Sequence, residues 1–274
     1  MVLTQKELRQ AQLIMLQVLK KFDAFCKEND IKYFLHAGTT LGAVRHNGFI
    51  PWDDDVDVGM LRSDYEKFCK LFGNEQDDLV LQNYQTDPGF GYQFSKVILK
   101  NTKWIEATAK NTNRKYEGIF LDVFCFDKIP SDKKLLKKVF RKNKFLCFLM
   151  IAKQGYVLNF KSTLKKIIFL GLKICSKFVS LKKLQEKQKK ICLKYNYLGD
   201  DALVTNFGGD FYGNINPETY FKDLVLHKFE DGEFPIPREY DKVLTTAYGD
   251  YMTPPANPTY KHEIVGYDFG PYSN

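Results

Sequence analysis

The segment "DDDVDVGM", from Asp53 to Met60, places four carboxylates within five positions and sets them beside apolar residues. Asp55 and Asp57 stand two positions apart, and side chains at that spacing in a strand project from the same face. Val56 and Val58 then point into the core. Carboxylates this close repel each other and raise each other's pKa unless a cation lies between them. The pattern predicts a strand that carries a divalent cation, usually Mg²⁺ where a phosphate is also bound.

Three other interpretations are open to this segment. A solvated acidic turn or a set of helix N-caps suits three consecutive aspartates, but it does not explain Asp57, which lies between two valines. An EF-hand calcium loop would need Gly at Val58 and a bidentate Glu at Asp64. The D-x-D motif of a nucleotide-sugar glycosyltransferase also binds a metal on a diphosphate, but it normally follows a nucleotide-binding half-domain, and only about fifty residues precede it here.

A third carboxylate lies in a second apolar segment, "GIFLDVFCF". Asp122 stands there between Leu121 and Val123. Because an unpaired buried carboxylate is costly, a third metal ligand on a neighbouring strand is a more economical account than an isolated charge. Three such carboxylates can hold one or two Mg²⁺ ions, which neutralise a diphosphate and orient an in-line displacement.

A Gly-Thr turn precedes the acidic strand and is predicted to receive the phosphates. Gly38 permits close backbone approach, while Thr39, Thr40 and the amides of the following helix can contact phosphate oxygens. Strand, turn, helix and two acidic strands, in this order, form one constellation.

The elements around it alternate between helix and strand. Thr4 and Glu7 form a predicted capping box at the first helix, and Ser63 and Glu66 a second one. The predicted elements are a helix to about Asn29, a strand at 31–36, a helix at 39–46, a strand at 55–60, a helix to about Phe72, strands at 79–84, 103–109 and 118–126, Lys-rich helical sequence to about Tyr197, strand-like pieces with a turn at 231–232, and a helix from Pro237 or Arg238. The pattern predicts an α+β fold with a mixed sheet and a helical insertion.

Composition narrows the class of protein. The 274 residues are 44% hydrophobic and 15% aromatic, which excludes a disordered chain. We expect no signal peptide and no membrane-spanning helix. We also expect no disulfide framework, because the six cysteines are scattered without a C-x-x-C pair. Reduced thiols indicate a cytoplasmic protein.

The charge is unevenly distributed. Residues 131–194 contain 19 Lys and Arg and two acids, a local balance of +17, whereas the net charge of the whole chain is +8. Without a recognised nucleic-acid-binding motif, we expect no specific nucleic-acid partner. A solvated helical face is the simplest alternative. We favour peripheral contact with an anionic membrane surface at the inner face of the cell membrane, because the apolar residues within 160–179 could form an amphipathic helix.

The constellation resembles the nucleotidyltransferase fold of the DNA polymerase β superfamily. The string "GTTLGAVRHNGFIPWDDDVDVGM" is similar to the signature of the LicD family, which includes bacterial phosphocholine transferases and is related to the fukutin group. "GIFLDVFCFDKIP", "FPIPREYDKVLTTAYGDYMTPP" and His262-Glu263 extend the resemblance. It implies a nucleotidyltransferase-like core in residues 1–130, a basic helical insertion in 131–199 and a C-terminal part, 200–274, that completes the catalytic domain.

Carried onto this chain, the resemblance implies that Asp55, Asp57 and Asp122 bind Mg²⁺, with Mn²⁺ as the alternative ion. The residues implied to shape the donor and acceptor pocket are Gly38, Thr39, Arg45, His46, Trp52, Asp53 and Asp54. Arg45 and Lys96 could offset phosphate charge, although a solvated surface position is the simpler expectation for Lys96. For the general base, Asp53 or Asp122 is expected, with His46 and His262 as alternatives. A choline cation would favour aromatic contacts, for which the candidates are Trp52, Tyr92, Phe94 and Trp104.

The activity implied is transfer of a phospho-alcohol, phosphocholine from CDP-choline above all, to a hydroxyl of a glycan such as a lipid-linked teichoic acid, capsule or lipopolysaccharide precursor, with release of CMP. CDP-ribitol and CDP-glycerol are alternative donors. A nucleotidyltransferase on the same fold would instead attack the α-phosphorus, and the same metal cluster would serve it. A more distant alternative is an inactive basic module that binds lipid or RNA.

Overall fold

The computed structural model describes residues 3–207, 215–256 and 262–273. Its helices and strands, in chain order, are α1 (Gln5–Glu28), β1 (Phe34–Leu35), α2 (Ala37–His46), β2 (Asp57–Leu61), α3 (Arg62–Phe72), β3 (Glu75–Gln76), β4 (Leu79–Gln82), β5 (Ser95–Leu99), β6 (Lys103–Glu106), β7 (Phe120–Ile129), α4 (Lys133–Lys153), α5 (Thr163–Ser176), α6 (Leu181–Leu193), β8 (Leu203–Asn206), β9 (Asn216–Pro217), β10 (Leu224–Phe229), β11 (Gly232–Pro237), α7 (Tyr240–Tyr248) and β12 (Ile264–Asp268), with short 3-10 turns at Glu218–Phe221 and Gly270–Tyr272.

The long strand β7 is the centre of the main sheet. It pairs in parallel with β2 on one side and antiparallel with β5 and β8, which follow one another along its other side. Strands β1, β4, β3 and β9 extend the sheet. The predicted α+β class with a mixed sheet is confirmed.

The register of these strands aligns three charged residues. Asp57 of β2 lies opposite Asp122 of β7, and Lys96 of β5 lies opposite the same aspartate. Since directly opposed residues in neighbouring strands share a face, the three side chains form one row across the sheet.

The main core fills the other face of the sheet. Phe22 of α1 packs against Phe68 of α3 with ring centroids 5.3 Å apart, and both side chains are buried with Val58 and Val123 of the central strands. The capping box at Thr4 is confirmed, with reciprocal hydrogen bonds to the amide and carboxylate of Glu7. The charged row stands on the opposite face, next to a smaller apolar cluster that includes Phe34 and Phe126.

The basic segment folds into helices, as predicted. Helix α4 packs against α5 and α6, and their buried side chains form clusters separate from the main core. Within the described residues, none of the helices is both long and apolar enough to cross a membrane. The boundaries predicted for three parts of the chain stay a prediction.

Several local expectations are wrong. The predicted capping box at Ser63 does not form, because α3 begins at Arg62 and its N-cap is Leu61, two residues before Ser63. Helix α7 begins at Tyr240, beyond the predicted start. The sequence analysis also missed β5, whose continuous burial gives it no alternating pattern. All six cysteines are free, as predicted.

Glu230 ties α1 to the loop that leads into the acidic segment. Its carboxylate accepts hydrogen bonds from both terminal nitrogens of Arg9, at 2.9 and 2.6 Å, and from the amide of Phe49 at 3.1 Å. The hydrogen bonds with Arg9 lower the pKa of Glu230.

We expect Glu230→Gln to reduce the free energy of unfolding by about 1 kcal/mol at neutral pH, because the charged pair is lost while the shape is kept. A carboxyl whose pKa falls on folding stabilises the protein at pH values above its pKa in the unfolded state. This contribution disappears as the pH falls through its pKa in the folded state. Urea unfolding should therefore show a difference in the free energy of unfolding between the wild type and Glu230→Gln that disappears at acidic pH. Glu233→Gln, at an exposed position in β11, is the matched control; equal losses from both variants would contradict this account.

Candidate functional site

The turn between β1 and α2 is locked against the start of β2. The Thr39 hydroxyl accepts a hydrogen bond from the amide of Asp57 at 2.8 Å, and the His36 amide donates to the carbonyl of Asp57 at 2.9 Å. The hydroxyl of Thr40 donates to the carbonyl of Leu35 at 2.5 Å. The left-handed residue of this turn is Ala37, with φ of 46°. The Thr39 hydroxyl thus holds the backbone of Asp57, and the Thr40 hydroxyl holds the end of the neighbouring strand β1.

Helix α1 orders the loop that carries the other aspartates. The buried side-chain amide of Gln12 donates to the carbonyls of Asp53, at 2.9 Å, and Ile50, at 3.3 Å. The amide of Asp53 also donates to Ile50. The four aspartates of the loop and strand, Asp53, Asp54, Asp55 and Asp57, are all buried. The predicted alternative of a solvated acidic turn is therefore wrong.

His262 closes one side of this acidic loop. Its Nδ1 lies 3.1 Å from Asp54 and 3.9 Å from Asp55, and its backbone amide donates to Asp54 at 3.2 Å. Burial opposes protonation of the imidazole, but the hydrogen bond with Asp54 and the charges of Asp55 and Glu106 outweigh it and raise the pKa of His262 to about 9. The imidazole therefore carries a positive charge at neutral pH.

A buried ion-pair network surrounds Asp122. The ammonium of Lys96 lies 3.3 Å from Asp122 and 3.5 Å from Glu106, while Arg114 lies 3.4 Å from Glu106. Lys96 is 2% exposed and sits 3.0 Å from the ring centroid of Phe120, so a solvated lysine is excluded. Burial raises the pKa of Asp122 to about 7, since the lowering effect of Lys96 is opposed by Glu106 and Asp55.

These carboxylates fit a divalent cation. Asp122 Oδ1 is buried without a hydrogen-bond partner, although Lys96 is near it, and the charge of Asp55 acts on it. Asp57 stands opposite Asp122 in the sheet. An all-oxygen donor set with excess negative charge is what Mg²⁺ prefers. The residues that would hold the ion are Asp55, Asp57 and Asp122, and this set stays a prediction.

A second possible ligand group overlaps the first. Among the described residues, single ligand atoms of Asp54, Asp55 and His262 lie within 4.8 Å of one another. This group does not include Asp57 or Asp122. Asp55 belongs to both groups and thus stands at the centre of the candidate site.

Arg45, His46 and Trp52 form a separate group beside α7. The Arg45 guanidinium donates to the carbonyl of Tyr251 at 2.6 Å, and the rings of His46 and Trp52 are 6.2 Å apart. Burial, together with the charge of Arg45, lowers the pKa of His46, so its imidazole is neutral at pH 7. Their role in substrate binding stays a prediction.

The aromatic candidates divide in two. Trp104 is buried in the main core near Tyr267. Tyr92 and Phe94 stack with centroids 5.1 Å apart, and Phe94 lies 5.9 Å from the ammonium of Lys96. Phe94 therefore borders the charged row and Tyr92 lies behind it, whereas Trp104 is part of the main core.

A cavity of about 370 Å³ opens beside this network. Its lining residues are Glu106, Ala107, Thr108, Lys110, Val157, Leu158, Asn159, His262, Glu263 and Val265. Because Glu106 also pairs with Lys96, and His262 with Asp54, a molecule in the cavity would lie next to the candidate site.

Glu106 and Arg114 were missed by the sequence analysis. Glu106 stands in the predicted strand "KWIEATA" as a single acid among mostly apolar residues, the same signal that identified Asp122. Arg114 lies outside any predicted element, and its side chain is 2% exposed.

Known proteins resemble this chain over different lengths. Residues 30–148 match the family model described as "LicD/FKTN/FKRP, nucleotidyltransferase domain". The lipopolysaccharide cholinephosphotransferase LicD of Haemophilus influenzae is 29% identical over 266 residues, which cover 94% of this chain and 96% of that protein. The ribitol 5-phosphate transferase FKRP of human and mouse is 42% identical over 50 residues, 18% of this chain and 10% of that protein. An uncharacterised protein of Rickettsia typhi is 46% identical over 59 residues, 22% of this chain and 19% of that protein.

We expect Thr39→Val to reduce the free energy of unfolding by about 1–3 kcal/mol, because the buried amide of Asp57 loses its acceptor. Thr39→Ser keeps the hydroxyl and should cost less than Val does. Urea unfolding of the three proteins measures both effects. A valine variant as stable as the serine variant would show that this hydrogen bond does not hold the turn.

A second prediction concerns Asp122 without metal. Folding raises the pKa of Asp122 from its ordinary value of 3.8 to about 7. Such a carboxyl contributes stability at pH values below 3.8, and this contribution is lost as the pH rises through about 7. In the presence of a chelator, Asp122→Asn should therefore become more stable relative to the wild type between about pH 5 and about pH 8, by an amount on the order of 1 kcal/mol.

Urea unfolding at the two pH values measures this change. Asp30→Asn is the matched control, because the Asp30 side chain is 98% exposed. A stability difference between wild type and Asp122→Asn that does not change with pH would contradict the raised pKa.

Proposed function

We propose that this chain, which carries a nucleotidyltransferase domain of the LicD/FKTN/FKRP family, is a transferase that moves a phospho-alcohol from a CDP-linked donor to a glycan hydroxyl and releases CMP. The observation that carries the proposal is the row of Asp57, Asp122 and Lys96 across the sheet, next to the buried aspartate loop. It lies within the part of the chain that matches the family. We infer the polymerase β-like fold for the same part.

In this proposal Asp55, Asp57 and Asp122 hold one or two Mg²⁺ ions. The ions supply neutralisation of the diphosphate and orientation of the displacement. The raised pKa of Asp122 in the metal-free protein supports the ligand role, because charges that repel each other in an empty cluster are stabilised by a bound cation. Lys96 is enclosed by Asp122 and Glu106, so we assign it the task of holding the Asp122 carboxylate rather than direct contact with phosphate.

The remaining roles follow from charge. His262 carries a proton at neutral pH, with a pKa of about 9, which suits an anion-binding group better than a general base. With Asp122 on the metal, Asp53 is the proposed general base. Gly38, Thr39 and Thr40 shape the turn beside the phosphates, and Arg45, His46, Trp52 and Asp54 are proposed for the substrate pocket.

The transferred group is proposed from the two relatives with named activities. CDP-choline is the favoured donor, because the relative that spans nearly the whole chain is a cholinephosphotransferase. CDP-ribitol is the second candidate, since a shorter segment resembles a ribitol 5-phosphate transferase. The proposed acceptor is a lipid-linked glycan such as a teichoic acid precursor, which would place a cytoplasmic enzyme at the inner face of the cell membrane.

We expect the purified protein to release CMP from at least one of CDP-choline, CDP-ribitol and CDP-glycerol in the presence of Mg²⁺ and an acceptor glycan. Asp57→Asn should reduce the rate by about 100-fold or more, because it removes a ligand charge from the cluster. Chelation should abolish the reaction, and Asp30→Asn should leave it unchanged.

The products distinguish the alternatives. Transfer of CMP to the acceptor with release of the phospho-alcohol would indicate a nucleotidyltransferase. No product from any donor, with the fold intact by circular dichroism, would overturn the proposal and favour a binding module.

A further inference from the structure

The outward face of α5 is apolar. Leu164, Ile167, Ile168 and Ile174 recur at helical spacing, and Phe178 follows two residues beyond the helix end. The exposed fractions of the large apolar side chains are 66% for Leu164, 61% for Ile167, 55% for Ile168, 59% for Leu170, 54% for Ile174 and 86% for Phe178. A soluble helix normally turns such a stripe toward the core.

The orientation of α5 is fixed by its opposite face. Phe169 packs against Phe160 and Phe148, with ring centroids 5.5 and 6.5 Å apart, and Ser176 is buried. Helix α5 therefore packs against α4 with one apolar face and exposes a second apolar face to solvent. Contiguous apolar surface of this kind marks a binding surface.

The surroundings of this face are uniformly basic. Between Lys133 and Gln185 the sequence contains 15 Lys and Arg and no Asp or Glu. Lys166, Lys173 and Lys177 are exposed on α5 and just beyond its end. An apolar stripe bordered by lysines is the pattern of a helix that lies in the interface of an anionic bilayer.

The start of α5 lies close in sequence to the cavity beside the candidate site. Val157, Leu158 and Asn159, in the connection between α4 and α5, line that cavity together with Glu106 and His262. Three residues separate Asn159 from the first residue of α5, Thr163. A surface that α5 contacts would therefore lie near one wall of the cavity.

We propose that the outer face of α5 inserts into the interface of an anionic lipid bilayer and brings the Val157–Asn159 wall of the cavity to the membrane surface. This inference rests on the proposed function in one respect: a lipid-linked acceptor would reach the site from that side. The insertion itself is independent of the reaction.

Charge favours a bilayer over two other occupants. A second copy of the chain would bring two basic segments together without acids between them, which like-charge repulsion opposes. A nucleic acid would pair with the lysines through its phosphates but would leave the aliphatic face exposed. An anionic bilayer can pair with the lysines through its headgroups and bury the apolar face of α5 at the same time.

The test is flotation of the full chain with vesicles of phosphatidylcholine alone or with about 30 mol% phosphatidylglycerol. The double variant Ile167→Glu/Ile174→Glu should bind anionic vesicles at least about tenfold more weakly than the wild type, because two charges enter the inserted face. Leu226→Glu, at a 61% exposed position in β10, is the matched control and should bind as the wild type does.

The charge component is tested separately. Lys166→Gln/Lys173→Gln/Lys177→Gln should lose about tenfold in affinity for anionic vesicles, and about 0.5 M NaCl should weaken the wild type to a similar extent. Circular dichroism checks that each variant is folded. Wild-type affinity in the Ile167→Glu/Ile174→Glu variant would overturn the proposal, as would a wild-type dimer that this variant converts to a monomer while neither protein binds vesicles.

Activity separates this inference from the proposed function. The Ile167→Glu/Ile174→Glu variant should keep wild-type CMP release with a water-soluble acceptor and lose it with a lipid-linked acceptor in vesicles. Equal rates of the wild type and this variant on the vesicle-bound acceptor would refute the placement of the cavity wall at the membrane. Vesicle binding by a wild type that releases no CMP would leave the insertion standing and overturn the proposed function alone.

Discussion

The parallel pairing of β2 with β7 is the interaction on which the candidate site depends. It sets Asp57 directly opposite Asp122, so two carboxylates face each other in a buried part of the sheet. Such a pairing is unfavourable by itself, and the protein balances it in part with the buried ammonium of Lys96 from β5. Burial, together with the charges of Glu106 and Asp55, raises the pKa of Asp122 to about 7 despite the nearby ammonium of Lys96. In the proposed function, a divalent ion would supply the missing charge.

The rest of the fold holds this unfavourable arrangement in place. The turn before α2 fixes the start of β2 through the hydroxyl of Thr39, and Gln12 of α1 fixes the loop that carries Asp53. The core between the sheet and helices α1 and α3 stabilises the strands from the opposite face. The main core thus lies on one side of the sheet, and the buried charges stand on the other, beside a smaller apolar cluster that includes Phe34 and Phe126.

The basic helices add a surface rather than a catalytic group. Helices α4, α5 and α6 have their own small apolar clusters, and the connection between α4 and α5 forms part of the cavity next to Glu106 and His262. The same segment therefore borders the candidate site and carries an exposed apolar face. If α5 inserts into a bilayer as proposed, the cavity next to the candidate site would lie near the membrane surface.

Local sequence by itself determined the α+β class, the first helix with its capping box, and the aspartates that mark the acidic strands, because these depend on periodicity, capping and the cost of burying a charge. It did not reveal β5, Glu106 or Arg114, whose partners lie on other strands and loops. The register that sets Asp57, Asp122 and Lys96 in one row, and the contact of His262 with Asp54, were decided by tertiary structure alone. Electrostatic interaction depends on distance in space, and residues that are far apart in the sequence come close to one another only when the sheet forms.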